Sequence, residues 1–256
     1  MSETTLKGLI IGPSGHGKSW VLSTLPRPRL ILDMEGRTKW TPNGRQATFW
    51  DGVSDPMKLT PSPTGTYIVR TNSIETIEVM RQWIRSGKHP FISFGFDSIM
   101  EYQIRDMQRI RPGKMQFRPQ DWGDVLRSME VVIREIGDYV DEPTTKLKMV
   151  CFVAGATTPV EGAYVKPLLQ GGITTRIPYW MDLVGFLEAV ADEKGVTTRN
   201  LWIAQRPNND LQVRDGTDIL IQKFGSKIEN PDLTEIYNIL CEAEKKEEAN
   251  GINAVA

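Results

Sequence analysis

Residues 12–19 read GPSGHGKS and match the complete pattern of a phosphate-binding loop, G-x-x-x-x-G-K-[ST]. Glycines let the backbone of such a loop turn tightly and point its N–H groups at phosphate oxygens. The lysine can reach the β- and γ-phosphates of a nucleotide, and the serine hydroxyl can bind Mg²⁺. We therefore predict a nucleotide-binding site in this stretch, called the phosphate loop below, with Trp20 beside it. Its predicted members are Gly12, Pro13, Ser14, Gly15, His16, Gly17, Lys18, Ser19 and Trp20.

The flanking sequence gives the loop the required order of strand, glycine loop and helix. Leu9-Ile10-Ile11 is a short apolar run typical of a buried strand. Residues 20–25 are compatible with a helix that Pro26 ends, and the amino end of a helix favours anions. This context favours a phosphate-binding loop over the alternative, an ordinary glycine-rich turn with a lysine beside it.

Length and composition predict one globular domain. The chain has 256 residues, of which 39% are hydrophobic and 25% are charged, as in a typical protein with a sizeable core. We assign all of residues 1–256 to this domain, with the core at about 6–240 and a charged, frayed tail at 241–256. The net charge of -1 gives no global basic signature, so any contact with nucleic acid must come from a local patch.

Cysteine and histidine usage bounds the chemistry and the location. The 2 Cys lie in apolar stretches, which favours buried reduced thiols, and the 2 His show no metal-ligand spacing. The polar amino terminus lacks the apolar segment of a signal peptide, and no apolar run is long enough to span a bilayer. We therefore expect a cytoplasmic protein with no membrane contact and no zinc.

Apolar patterning predicts alternating strands and helices, which is typical of a mostly parallel sheet with helices on both faces. Residues 37–65 show no period and are predicted to be irregular. The later strands would extend the sheet. We predict strands at about 29–34, 66–70, 91–98, 148–154, 183–191 and 197–204, and helices at about 73–86, 120–140 and 233–248.

Carboxylates at two predicted strand ends could complete the site. Asp97 ends an apolar run and could hold Mg²⁺ together with Ser19, whereas the alternative is that it caps the helix that follows. Glu35 lies at the tip of the second strand, where it could orient water for attack on a γ-phosphate. Asp33 is a weaker candidate for that role, and either acid could instead only solvate the strand end.

The segments GPSGHGKS, LILDMEG and FISFGFDS together resemble RecA-like ATPases, in which the glutamate after the second strand is catalytic. The chain is similar above all to phage Sak-type proteins of single-strand annealing and recombination. Further similarities are Trp122-Gly123, the segment PYWMDLVG at 178–185 and Arg214-Asp215. The resemblance spans about residues 6–240. It implies an α/β fold with a RecA-like P-loop NTPase core: a mostly parallel central sheet flanked by helices, with extra C-terminal strands and a C-terminal helix.

The resemblance also implies cofactors and partners. ATP with Mg²⁺ would lie between subunits of a homo-oligomer, a ring or a filament, in the cytoplasm of the host if a phage encodes the chain. Glu35 and Lys18 would be catalytic, and Arg214 would reach the γ-phosphate of a neighbouring subunit, although it could also be a solvent-exposed partner of Asp215. Where the family has a polar γ-phosphate sensor, this chain has only the short Thr157.

RecA-like proteins bind DNA through two loops, whose positional equivalents here are about 105–118 and about 158–176. The first is rich in cations and holds Phe117, which could stack on a base. Both could instead be solvated loops that contact other subunits. The implied partners are single-stranded DNA and a single-strand DNA-binding protein. The predicted DNA-binding residues are Arg105, Arg109, Arg111, Lys114, Arg118, Lys166 and Arg176.

Other functions remain open from the sequence alone. A small-molecule kinase could use the same phosphate loop, with the arginines at 105–118 as its lid, although the strand-rich C-terminal half fits a kinase poorly. A nucleotide-dependent assembly or loader module is another alternative, but one that did not hydrolyse ATP would not need Glu35. A ring ATPase of the AAA+ kind is also possible, but no C-terminal helical lid domain is evident after the core.

Overall fold

In the computed structural model, which describes residues 4–113, 117–158, 164–206 and 211–253, the strands form one sheet. Ten strands belong to the described part of the chain. They are β1 (Leu6–Ile11), β2 (Arg29–Asp33), β3 (Thr48–Trp50), β4 (Thr66–Val69), β5 (Ser93–Asp97), β6 (Met149–Ala154), β7 (Leu183–Ala191), β8 (Thr197–Trp202), β9 (Arg214–Asp215) and β10 (Lys227–Glu229).

Strand order across the sheet is β10-β8-β7-β1-β6-β5-β2-β4-β3, with β9 paired to the amino end of β7. The seven strands from β7 to β3 are mutually parallel, whereas β8, β9 and β10 are added antiparallel. Strand β6 separates β1 from β5. The carboxyl ends of the parallel strands therefore meet along one edge, where α/β sheets of this kind bind ligands.

Helices cover both faces of the sheet, as predicted. The described helices are α1 (Lys18–Leu22), α2 (Ile74–Arg85), α3 (Ile99–Ile110), α4 (Pro119–Asp138), α5 (Ile173–Arg176), α6 (Ile219–Phe224) and α7 (Leu233–Asn253). Side chains alternate between the two faces along each strand, so neighbouring residues enter different cores. Leu9 and Ile11 of β1 join the core under α2, α3 and α4, whereas Ile10 joins the core under α1, α6 and α7.

The structure differs from the predicted elements at short segments and at helix ends. The helix after the phosphate loop is only Lys18–Leu22, a little over one turn, so its dipole adds little to phosphate binding. The segment 37–65 contains the short edge strand β3. Strands β9 and β10 and helix α6 lie in a part of the chain without a clear pattern. Helix α7 continues to Asn253, beyond the predicted end near 248.

Candidate active site

The phosphate loop follows β1 and packs closely against its neighbours at two glycines. A Cβ at Gly12 would lie 2.4 Å from the carbonyl oxygen of Leu187 in β7. Gly17 has φ +92°, a backbone conformation that L side chains rarely adopt, and a Cβ there would lie 2.3 Å from Nε of Arg199. The first and sixth positions after β1 thus require glycine because β7 and β8 leave no room for a side chain.

Lys18 lies folded over the loop that carries it. Its Nζ donates hydrogen bonds to the carbonyl oxygens of Gly12, at 2.7 Å, and Pro13, at 2.8 Å. Burial lowers the pKa of Lys18 from its usual value, although the carboxylates of Asp97 and Glu35 oppose this shift. The ammonium group therefore lies where it can exchange loop carbonyls for phosphate oxygens.

The two predicted metal ligands are in contact. Ser19 Oγ donates a hydrogen bond of 2.6 Å to Oδ2 of Asp97, and the hydroxyl of Thr38 lies 3.4 Å from the same oxygen. Asp97 is buried, and this burial, aided by the charges of Asp33 and Glu35, raises its pKa to about 7. Hydroxyl and carboxylate oxygens are the ligands that Mg²⁺ prefers, so the donor set at this point fits that ion.

Asp33 and Glu35 have different environments, which separates their roles. Asp33 is buried and its carboxylate accepts hydrogen bonds from the backbone N–H groups of Gly36, Arg37 and Thr38, at 2.7, 3.1 and 3.0 Å. It therefore holds the turn after β2. Glu35 lies on that turn and faces the pocket.

The carboxylate of Glu35 is held by two neighbours. Ser98 Oγ donates to its Oε1 at 2.6 Å, and Arg37 Nε lies 3.6 Å from its Oε2. Ser98 is also the N-cap of α3, since its side chain accepts the N–H of Glu101. The alternative that Asp97 caps this helix is therefore wrong, and Asp97 is left to face Ser19. The peptide bond between Asp97 and Ser98 is cis.

These residues line one pocket of about 280 Å³ at the carboxyl ends of β1, β2, β5 and β6. The pocket brings together predicted loop, metal and catalytic residues that lie between positions 13 and 97 of the sequence, and it adds several that we did not predict. The predicted lining residues are Pro13, Ser14, Gly15, Gly17, Lys18, Ser19, Glu35 and Asp97, and the added ones are Arg37, Met100, Gly155, Ala156 and Leu168.

Residues 4–214 match the family described as "AAA domain". The match covers well over half of the 256 residues. The chain belongs to the AAA domain family. It is thus a P-loop ATPase. The described residues after β7 add strands to the same sheet and helices that pack against it, rather than a separate helical lid.

Two further comparisons add little to this assignment. No curated protein sequence matches the chain. A solved structure described as "Structural and biochemical analysis of a prototypical ATPase from the type III secretion system of pathogenic bacteria" is 16% identical, with a TM-score of 0.44. The alignment covers 72% of this chain and 52% of that chain, so this AAA domain protein spans about half the length of the solved structure.

The hairpin β7–β8 packs against the phosphate loop of the ATPase, beside the pocket, in a contact that was not predicted from the sequence. Backbone N–H of Ala189 donates a hydrogen bond of 2.9 Å to Nδ1 of His16, so this loop side chain faces β7 rather than the pocket. Trp20 packs beneath Arg199, whose Cζ lies 4.8 Å from the indole centroid. The local sequence around 189–199 carries no phosphate-site motif that could have signalled this contact.

The predicted trans-acting residue of the ATPase lies away from its own pocket. Arg214 is exposed on β9, where it pairs with Val184 near the amino end of β7. Asp215 is buried and accepts hydrogen bonds from Thr217 and from the backbone N–H of Ile221.

The first part of the predicted first DNA-binding loop, residues 105–110, is helical, and the described arginines of the loop are paired with acids. Arg105 and Arg109 lie on α3, so the loop prediction is wrong for them. The acids that oppose these cations are Glu101, Asp106 and Asp121. The described ion pairs are Arg105–Glu101, Arg109–Asp106, Arg111–Asp121 and Arg118–Asp121, while Lys114 lies outside the described residues.

The second predicted DNA-binding segment is fixed to the core of the AAA domain at several points. Lys166 donates its backbone N–H to Oγ1 of Thr157, so the hydroxyl that we considered for γ-phosphate sensing already has a partner. Arg176 ends α5 and pairs with Glu130 of α4. Ile173, on the same short helix, is buried. Residues 159–163 of this segment lie outside the described part of the chain.

No described helix is long and apolar enough to cross a membrane.

Proposed function

We propose that this ATPase hydrolyses Mg²⁺-bound ATP at the phosphate loop and couples hydrolysis to action on single-stranded DNA, in the recombination or annealing of a phage. The sequence resemblance to Sak-type proteins supports the DNA role. The proposal includes a homo-oligomer in the cytoplasm and a single-strand DNA-binding protein as a further partner.

The side chains of the pocket can divide the chemistry of ATP hydrolysis among them. Ser19 and Asp97 would hold Mg²⁺, which neutralises phosphate charge. Lys18 would leave the carbonyl oxygens of Gly12 and Pro13 and place its charge on the β- and γ-phosphates. Glu35 would orient the attacking water and accept its proton, after its carboxylate leaves the hydroxyl of Ser98.

Helix α3 is the observation that carries the coupling to DNA. Its N-cap is Ser98, whose hydroxyl donates to Glu35, and Met100 in its first turn lines the pocket. The same helix carries Arg105 and Arg109, and its end leads to Arg111 and Arg118. Binding of a polyanion at the arginine end could therefore displace the residue that holds the catalytic carboxylate.

The ion pairs of these arginines favour one second candidate, a nucleotide-dependent assembly module that contacts protein. Glu101, Asp106 and Asp121 neutralise much of the positive charge that a phosphate backbone would need. DNA would have to compete with these carboxylates. Arg118 remains available for this, since its side chain is 69% exposed and shares Asp121 with Arg111.

Measuring ATP hydrolysis with and without single-stranded DNA, at low and moderate salt, tests the proposal. We expect DNA to stimulate hydrolysis, and the stimulation to weaken with salt as phosphate contacts require. The variants Arg109→Gln and Arg118→Gln should lose stimulation and keep basal hydrolysis. Arg85→Gln is the matched control, because Arg85 is also an exposed arginine in an ion pair, with Glu135, on another helix.

Each other outcome points to a different function. A hydrolysis rate per subunit that DNA does not change, but that rises with protein concentration, would support the assembly module. Transfer of the γ-phosphate to a member of a small-molecule acceptor screen would support the kinase. Arg214→Ala, mixed with a Lys18→Ala subunit, tests the neighbour's role: mixed oligomers should regain activity only if Arg214 acts across the subunit boundary.

A further inference from the structure

Arg199 is a cation at the phosphate loop to which neither the loop motif nor the family match gives a role. It lies on β8, opposite Ala189 of β7, and its side chain crosses Gly17. The guanidinium Cζ lies 4.8 Å from the ring centroid of Trp20, within the range of a cation–π contact. The loop glycine and the tryptophan thus hold the guanidinium between them.

The charge of Arg199 has no counter-ion in the described structure. No described carboxylate lies within 4.0 Å of its guanidinium, whereas the arginines at 105, 109, 111, 118 and 176 each pair with one. Its Nε is buried and has no hydrogen-bond partner among the described residues. A buried donor without an acceptor is unfavourable, so this position is suited to a ligand that brings an acceptor.

The position of Arg199 along the loop indicates which phosphate it would meet. Glu35 and Asp97 mark the end of the pocket where the γ-phosphate and the metal would lie, and Arg199 is not among the residues lining that pocket. It lies on the opposite side of Gly17, beside Trp20, the residue after the motif. The backbone of a phosphate loop cradles the α- and β-phosphates, and its lysine reaches the β- and γ-phosphates.

We propose that Arg199 binds the α-phosphate of the nucleotide from within the same subunit, and that Trp20 holds its guanidinium in place. The inference rests on the proposed binding of ATP at the phosphate loop. A planar guanidinium suits this role because it can stack on an indole with its face and donate to phosphate oxygens with its edge. Lys18 and Arg199 would then hold opposite ends of the triphosphate.

Dissociation constants for AMP, ADP and ATP, measured by calorimetry or competition, test the assignment. Arg199→Gln should weaken all three by a similar factor, roughly tenfold or more, because the α-phosphate is common to them and charge-assisted hydrogen bonds are strong. Lys18→Ala should weaken ADP and ATP but spare AMP, which lacks the phosphates that Lys18 reaches. In steady-state hydrolysis over a range of ATP concentrations, Arg199→Gln should raise KM and leave kcat nearly unchanged.

Controls separate a binding role from a structural one. Lys194→Gln removes one charge from the exposed tip of the same hairpin and should change none of the three constants. Trp20→Phe keeps a ring beneath the guanidinium and should keep most of the affinity. Thermal unfolding without nucleotide shows whether Arg199→Gln only loosens the hairpin.

Two outcomes would overturn the assignment, and they differ from each other. If Arg199→Gln binds AMP and ADP like the wild type, or weakens ATP alone, then Arg199 does not contact the α-phosphate, and the nucleotide site itself stands. If the wild type binds none of the three nucleotides, the proposed site is wrong and the role of Arg199 falls with it.

Discussion

Two acids separated by one residue perform different tasks at the end of β2. Asp33 has its carboxylate occupied by three backbone N–H groups, and Glu35 has its carboxylate in the pocket. The pattern of an aspartate followed three residues later by a glycine is typical of such a turn. The turn pattern therefore supports the preference for Glu35 over Asp33 as the group that meets water.

Glu35→Gln should separate ATP binding from hydrolysis. The amide keeps the size of the side chain but cannot accept a proton from water, so kcat should fall about 10²- to 10⁴-fold. The dissociation constant of ATP should change little, because Glu35 acts in the transition state. Steady-state hydrolysis and nucleotide titration measure the two quantities. Normal hydrolysis in Glu35→Gln would move the role of base to another residue.

Asp33→Asn is the informative contrast. The asparagine would place its NH₂ group where one carboxylate oxygen of Asp33 now accepts backbone N–H groups, either that of Thr38 or those of Gly36 and Arg37. Two donors cannot form a hydrogen bond with each other. We expect this variant to lose about 1–3 kcal/mol of unfolding free energy as well as activity. Chemical denaturation distinguishes it from Glu35→Gln, which should unfold like the wild type.

Lys18→Ala should abolish turnover, because the loop has no other side-chain charge to place on the γ-phosphate. Loss of one such group typically costs about 10²- to 10³-fold in rate. The fold should tolerate the change, since Lys18 only bonds carbonyl oxygens of its own loop. Unchanged ATP hydrolysis in this variant would contradict the assignment of the nucleotide site.

Among the elements, helix α1 packs closely on the sheet because Gly95, in the middle of β5, has no side chain. A Cβ there would lie 2.8 Å from Cγ of Leu22 and 2.9 Å from Cδ1 of Leu25. A short helix with few turns of its own relies on such packing. The helix begins with Lys18 and Ser19, so its distance from the sheet sets the positions of both side chains.

Gly95→Ala should therefore impair stability and nucleotide binding together. Overpacking of a tight core costs about 1–3 kcal/mol, and we expect the ADP dissociation constant to rise as α1 shifts. Gly8→Ala on β1 is the matched control: its nearest neighbour, Sγ of Cys151, would lie 3.4 Å away, so little change is expected. Denaturation and ADP titration of both variants measure the effects. Equal behaviour of the two would exclude this role for Gly95.

Most long elements could be predicted from the sequence, because buried strands and amphipathic helices carry strong periodic patterns. Strands β3 and β9 have three and two residues, too few for any period. The ion pairs Arg105–Glu101 and Arg109–Asp106 follow helical spacing, so sequence could have revealed them. Arg199 could not have been found, since its contact with Gly17 depends on the order of strands across the sheet.

For the whole molecule, His89 makes stability depend on acid. It is buried between α2 and β5, where Nε2 contacts the carbonyl oxygen of Ile84 and Nδ1 accepts the N–H of Phe91. Burial is the main cause that lowers the pKa of His89 to about 4. The contribution of such a histidine to the free energy of unfolding is fully present at pH values above its unfolded-state pKa, near 6.5. This contribution is lost as the pH falls towards the folded-state pKa of about 4.

The wild type should therefore lose about 3 kcal/mol of its free energy of unfolding between pH 7 and pH 4 through this one side chain. Asp97, whose pKa is raised, titrates in the same range with the opposite sign, since its protonation favours the fold as the pH falls. The difference between wild type and His89→Gln, from denaturation at a series of pH values, isolates the histidine. Parallel pH profiles of the two proteins would contradict the prediction.

The pocket is assembled from residues that lie far apart in the chain, at 13–19, 35–37, 97–100, 155–156 and 168. An unfolded chain does not hold them together, so a nucleotide binds only the folded form. By mass action, a ligand at 100 times its dissociation constant adds about 2.7 kcal/mol to the free energy of unfolding. The lifetime of this protein in a cell should thus follow the local concentration of its own fuel, and depletion of ATP would expose it to proteolysis.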